Sequence, residues 1–167
     1  LQSHKRPLVV LSPKSMLRLR AASSAVEDFI DKGFEPVLGD PDSPDPSGVE
    51  RVVLTAGKVH YDLLAARRKS GDARVALVRV EQLYPVPGEE LADALALYPG
   101  ATDVVWCQEE PANQGAWSHV ALSFPEHLPE GRTLRRVSRA AAASPAAGSS
   151  KVHEAEQAQL IAAALEL

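Results

Sequence analysis

Short apolar runs alternating with helix-patterned stretches constrain the fold of this chain more than any other feature. Pro7–Leu11 and Arg51–Ala56 read as buried strands, Val75–Val80 and Asp103–Cys107 as further strands, and Leu134–Val137 as a short fifth. Phe34–Leu38 is a candidate strand too, but Pro36 restricts it to an edge. Between the runs lie helical patterns. Ser24–Asp31 carries a capping serine with Glu27 three residues later, and Gly33 beyond its end. Lys58–Ser70 lines Val59, Leu63 and Ala66 along one face and stops at Gly71. Glu89–Tyr98 puts Leu91, Leu95 and Tyr98 in register before Pro99 and Gly100. Asn113–Phe124 is a helix ended by Pro125, and Ser150 caps a last helix to Leu167. Such connections leave no room for hairpins, so the pattern predicts an α/β domain of parallel strands with helices on both faces.

The remaining stretches are connectors. Gly39–Gly48, with three prolines and three aspartates, reads as a surface loop. Leu83–Gly88 is a rigid turn, and Ala140–Ser150 is coil rich in small residues. No internal repeat is present. A length of 167 residues suits a single domain, 1–167. A net charge of −4 argues against a nucleic-acid binder. One cysteine, Cys107, permits neither an internal disulfide nor a cysteine-cluster zinc site, and fits a reducing, cytoplasmic setting. No apolar run approaches the roughly 18 residues of a membrane span, and no signal peptide is expected.

The segment Cys107–Trp117 concentrates residues suited to recognition at the carboxyl end of a strand, where open α/β sheets bind ligands and partners. Glu109 and Glu110 are adjacent, so on a strand they face opposite ways and are not a paired-carboxylate acid/base site. One of them anchors a partner or a loop, or both are a solvated strand end. Gly115 allows close backbone approach across an interface, or is an ordinary glycine of a loop or first helical turn. Asn113 and Gln114 offer matching hydrogen bonds, and Trp117 a large apolar anchor. Cys107 has no histidine near in sequence, and most such cysteines are simply buried. His4, His60, His119, His127 and His153 are scattered, without metal-ligand spacing, and His60 and His153 read as surface residues. Lys14, Arg18 and Arg20 form one basic cluster, and Arg132, Arg135, Arg136 and Arg139 another. Each is either a phosphate-holding patch for an effector or a solvated face. No glycine-rich phosphate cradle occurs.

Several stretches together resemble the carboxyl-terminal domain of the thiamine-diphosphate-dependent subunit of 2-oxoglutarate dehydrogenase. They are Arg6-Pro-Leu-Val-Val-Leu-Ser-Pro-Lys-Ser-Met-Leu-Arg18, Gly57-Lys-Val-His-Tyr-Asp-Leu-Leu64, Arg79-Val-Glu-Gln-Leu-Tyr-Pro85, Cys107 to Trp117, and Ala143-Ser-Pro-Ala-Ala-Gly-Ser-Ser-Lys-Val-His153. They occur in the family's order and span nearly the whole chain. The bacterial members it resembles include actinobacterial multifunctional 2-oxoglutarate decarboxylases.

The resemblance implies a three-layer, mainly parallel five-stranded sheet between helices, of the transketolase carboxyl-terminal type. In that family thiamine diphosphate and magnesium lie between two other domains. Their Gly-Asp-Gly…Asn signature and the family's catalytic histidines fall outside the part this chain matches. The expectation is therefore an assembly and regulatory domain with no catalytic, cofactor or metal residue of its own. Implied partners are the thiamine-binding domains in the same or a separate chain, a second copy in a homodimer, and the lipoyl acyltransferase component. An acetyl-coenzyme A effector is also implied, with Lys14, Arg18 and Arg20 as candidate contacts. The alternative reading is a stand-alone module that binds a nucleotide or acidic metabolite.

Overall fold

The computed structural model describes residues 5–7, 9–30 and 32–167, in two compact units, 1–33 and 34–167. His4, Leu8 and Asp31 lie outside the described residues. The first unit contains single 3-10 turns at Lys14–Arg18 and Arg20–Ala22 and a five-residue helix, α1, Val26–Ile30. Asp28 accepts a bond from the Ala25 N–H at 3.1 Å and so satisfies a donor at the helix start. Among the described residues of Pro7–Leu11 the expected strand is not formed. Val9, Val10 and Leu11 are 80%, 71% and 95% exposed and outside any ladder. An apolar run becomes a strand only where a neighbour accepts its backbone bonds, and prolines at 7 and 13 remove donors at both flanks.

The second unit is built on β1 (Val37–Leu38), β2 (Arg51–Thr55), β3 (Val75–Val80), β4 (Asp103–Pro111) and β5 (Thr133–Arg139), in spatial order β1-β3-β2-β4-β5. All neighbours are parallel except β1, which runs antiparallel to β3 at the edge. The expected five-stranded, mainly parallel sheet is therefore present, with the proline-demoted edge strand in place of Pro7–Leu11. β4 runs four residues beyond the predicted Cys107, through a register shift between Cys107 and Pro111.

Strand alternation divides the core into two layers. Val52, Leu54, Ala76, Val78, Val104 and Trp106 face one way, against α3 (Gly88–Ala96) and α4 (Trp117–Ser123). There the Trp106 and Phe124 rings meet edge to face, 5.9 Å apart. Val53, Val75, Leu77, Val105 and Cys107 face the other way, against α2 (Val59–Ser70) and α5 (Ser150–Leu165). α2 ends at Gly71, whose φ of 73° lets its N–H bond the Arg67 carbonyl. α4 starts at Trp117, not Asn113, because 112–116 form a turn. The residue preceding α5 is Ser149, and its side chain makes no cap bond. The other end of α5 is held by Arg51, which donates to the Ala164 and Glu166 carbonyls and places a cation at the negative end of the helix dipole.

Gly39–Gly48 is not simply a surface loop. The Asp40 side chain is buried and receives a bidentate bond from the equally buried Arg67. Its Oδ2 also accepts the Leu77 N–H at 2.6 Å. β1 reaches only Val80 and Arg79 of β3, so Asp40 satisfies a strand donor that this two-residue edge does not cover. Asp42 continues the link to Arg67 and Arg68. Both guanidiniums, Arg68 first, draw its carboxyl down to about 2.

Candidate functional site

At the carboxyl end of β4 the chain turns on a buried amide. Gln108 continues the inward face of Trp106 and is 3% exposed. Its Oε1 accepts the Trp106 indole N–H at 3.0 Å. Its Nε2 donates to the Gln114 carbonyl at 2.7 Å and lies 3.3 and 3.4 Å from the Pro111 and Glu110 carbonyls. Gly115 sits over this amide with φ 68°. A Cβ there would come 2.9 Å from Glu110 Cβ and 3.0 Å from Gln108 Nε2. The close approach that Gly115 permits is thus to its own chain. Asn113 Nδ2 and Gln114 Nε2 both donate to the Ala142 carbonyl, and Asn113 Oδ1 accepts the Ala142 N–H. These two amides therefore hold the 140–149 segment against the turn. Trp117 is half-buried against the α3/α4 layer, with the Arg136 guanidinium 5.3 Å from its ring centre.

The two glutamates separate as the strand period requires. Glu110 is exposed beside Gly115. Glu109 turns to the other layer, where Lys58 Nζ lies 2.9 Å from its carboxylate and 2.6 Å from that of Asp62. Gln157 Nε2 donates to the same two carboxylates at 3.0 Å each, while its Oε1 accepts from Arg139. Arg139 also donates to His153 Nδ1 at 3.0 Å. Since arginine only donates, His153 Nδ1 is the acceptor in this bond. This network joins α2, β4, β5 and α5 across the sheet's carboxyl edge. His153 is accordingly a half-buried partner of Arg139, not the surface residue expected. The Lys58 ammonium is stabilised by its two carboxylates, which outweigh partial burial and raise its pKa.

His60 departs further from the surface reading. It is 3% exposed, and its Nδ1 lies 3.2 Å from Thr55 Oγ1 at the end of β2. Burial first, then the Arg79 charge, lowers its pKa to about 4, so the ring is neutral at pH 7. Cys107 is fully buried, and burial raises its thiol to about 12, which leaves no thiolate for nucleophilic chemistry near neutrality.

The second basic cluster is dispersed into internal contacts. Arg132 donates to the Tyr98 carbonyl, Arg135 to Asp103, Arg136 to the Ala112 carbonyl, and Arg139 to α5. Lys14, Arg18 and Arg20 are exposed on the 3-10 turns of the first unit.

Of the site, the sequence segment Glu109–Trp117 locates the turn. Gln108 carried one signal, a glutamine closing an apolar strand. Lys58, Asp62 and Gln157 carried none, and Arg139 was marked only as one of a basic cluster, because only the sheet brings the four together.

A doubly covered, mainly parallel sheet whose polar network and tight turn gather at its carboxyl edge defines an α/β domain of the transketolase carboxyl-terminal type. Residues 23–165 match the family described as 2-oxoglutarate dehydrogenase C-terminal, and the chain belongs to that family. It is 46% identical over 165 residues to the 2-oxoglutarate dehydrogenase E1 component of Haemophilus influenzae, covering 99% of this chain and 18% of that protein. It is also 46% identical over 162 residues to the multifunctional 2-oxoglutarate metabolism enzyme of Mycobacterium sp. (strain JLS), covering 94% of this chain and 13% of the relative. A third relative is the 2-oxoglutarate dehydrogenase E1/E2 component of Corynebacterium glutamicum, 46% identical over 163 residues, with 97% and 13% covered. The chain thus spans less than a fifth of the length of these relatives. Among the described residues no helix is long and apolar enough to cross a membrane.

Proposed function

We propose that this domain serves in the assembly of a thiamine-diphosphate-dependent 2-oxoglutarate dehydrogenase or decarboxylase, and that the Glu109–Trp117 turn is its docking surface toward the thiamine-binding domains. The observation that carries the reading is 46% identity along 99% of the chain to a 2-oxoglutarate dehydrogenase E1 component. The site's chemistry supports it. Glu109 is ion-paired with Lys58, Cys107 stays protonated, and His60 is sealed into the core, so the sheet edge offers rigid shape and hydrogen-bonding groups rather than a nucleophile or a general base. Among the described residues no three His, Cys, Asp or Glu side chains converge as ligands of a metal ion would. In this reading thiamine diphosphate, its magnesium and the decarboxylation belong to other domains of the parent, which works in a reducing cytoplasm as a homodimer alongside a lipoyl acyltransferase component.

The regulatory part of the proposal rests on the exposed Lys14, Arg18 and Arg20, which are free to meet the phosphates of an acetyl-coenzyme A effector in the assembled enzyme. The docking test is sedimentation of the chain mixed with the two thiamine-binding domains. Wild type is expected to co-sediment. Trp117→Ala is expected to lose docking while most of the chain stays folded, because Trp117 is half-buried at the rim rather than inside the layer. A variant that docks as wild type but melts many degrees lower would assign Trp117 to the core and overturn the docking role.

A further inference from the structure

We propose that Gln108 is a positioning residue, a buried amide splint that fixes the shape in which the Glu110–Gly115 turn is presented for docking. The inference rests on the docking role of that turn and identifies what sets its geometry. A glutamine amide has two N–H donors and one carbonyl acceptor, and here all three are used. The acceptor is committed to Trp106, in the centre of the α3/α4 layer. One donor goes to the Gln114 carbonyl at 2.7 Å, and the other faces the Glu110 and Pro111 carbonyls at 3.4 and 3.3 Å. One side chain thus ties the rigid core to three carbonyls, of Glu110, Pro111 and Gln114, where β4 shifts register and gives way to the turn. The turn has one internal backbone bond, Gln114 N–H to the Pro111 carbonyl at 2.9 Å, and the Ala112 N–H is anchored to the Arg139 carbonyl at 2.9 Å. Without the amide, the carbonyls of Glu110 and Gln114 lose their side-chain donors. Gly115 belongs to the same device, since a Cβ at 115 would lie 3.0 Å from the splinting nitrogen.

Two substitutions separate positioning from plain stability. Gln108→Glu keeps the volume and the acceptor for Trp106 but turns lone pairs toward three carbonyls. Gln108→Met keeps the volume and removes all polar contacts. In both, backbone amides of 112–116 are expected to exchange with solvent at least about tenfold faster than in wild type, the equivalent of one lost buried bond. Amides of Val104–Cys107 are expected to keep their protection. The Trp106 indole N–H resonance is the internal control: retained in Gln108→Glu and shifted in Gln108→Met. The folded fraction of both variants is expected to lose co-sedimentation with the thiamine-binding domains by tenfold or more in affinity. Unchanged turn exchange in both variants overturns the splint, whatever the turn docks against. Accelerated exchange with undiminished docking overturns the positioning role. In that case Trp117→Ala identifies which idea failed: if it still abolishes docking, the docking surface stands and Gln108 does not shape it, and if it also docks, the surface itself is elsewhere.

Discussion

Removing the Asp40 carboxylate tests the tightest electrostatic knot in the fold. Asp40 accepts from both terminal nitrogens of Arg67, from the Leu77 N–H at 2.6 Å, and from the Asp42 N–H at 2.9 Å. The Arg67 side chain is only 5% exposed and that of Asp40 not exposed at all. Asp40→Ala therefore leaves a buried guanidinium with only Asp42 and the Val75 carbonyl as partners, and strips a strand N–H of its acceptor. Loss of one partner of a buried ion pair costs about 3–5 kcal/mol. For a protein of this length each kcal/mol lowers the melting temperature by roughly 2–4 °C, so the fall is about 6–20 °C. Asp40→Asn keeps the shape and one acceptor, and is expected to cost about 1–3 kcal/mol. Asp40→Ala combined with Arg67→Met removes both charges and is expected to recover most of the loss, because an apolar pair avoids the desolvation of two ions. The assay is urea unfolding followed by circular dichroism, reading the midpoint at constant slope. If Asp40→Ala lies within about 1 kcal/mol of wild type, or the double variant is no better than the single, the pair does not bear the weight assigned to it.

Three further outcomes are expected. His60 titrates at 6.5 when unfolded and about 4 when folded, so its contribution is fully present above pH 6.5 and is lost as pH falls toward 4. The shift is worth roughly 3 kcal/mol at most, and His60→Phe should remove that slope from stability-versus-pH curves; parallel curves for the two proteins would refute it. Gly115→Ala places a Cβ at positive φ against Glu110 and should cost about 1–3 kcal/mol in the isolated chain, measured by thermal melting, so an unchanged melting temperature would show that the turn relaxes freely. Lys14→Ala with Arg18→Ala should weaken acetyl-coenzyme A response of the assembled enzyme about tenfold or more, while an unchanged activation curve returns both residues to a solvated face.

The sequence by itself determined the layered α/β architecture, because apolar runs such as Val52–Leu54 and Val104–Cys107 alternate with helix-patterned stretches and so read as parallel strands buried on both faces. The same local logic placed the breaks at Gly71 and Pro125 and marked Pro36 as belonging to an edge. It failed at Pro7–Leu11, where composition resembles a strand but the described residues find no pairing partner, a non-local property. Local pattern also located the Glu109–Trp117 turn, and placed Glu109 and Glu110 on opposite faces. Only the tertiary structure decided what those residues hold. Gln108 reaches carbonyls up to six residues ahead, Asn113 and Gln114 grip Ala142, and Lys58, Asp62, Glu109, Arg139 and Gln157 meet from four elements. Asp40 and His60 show the same division. Each looks like a surface residue in its local setting, and each is buried because a distant partner or layer closes over it. Periodicity reports which face of an element is apolar. The pairing of charges and amides across elements is fixed only when the sheet order β1-β3-β2-β4-β5 brings their ends together.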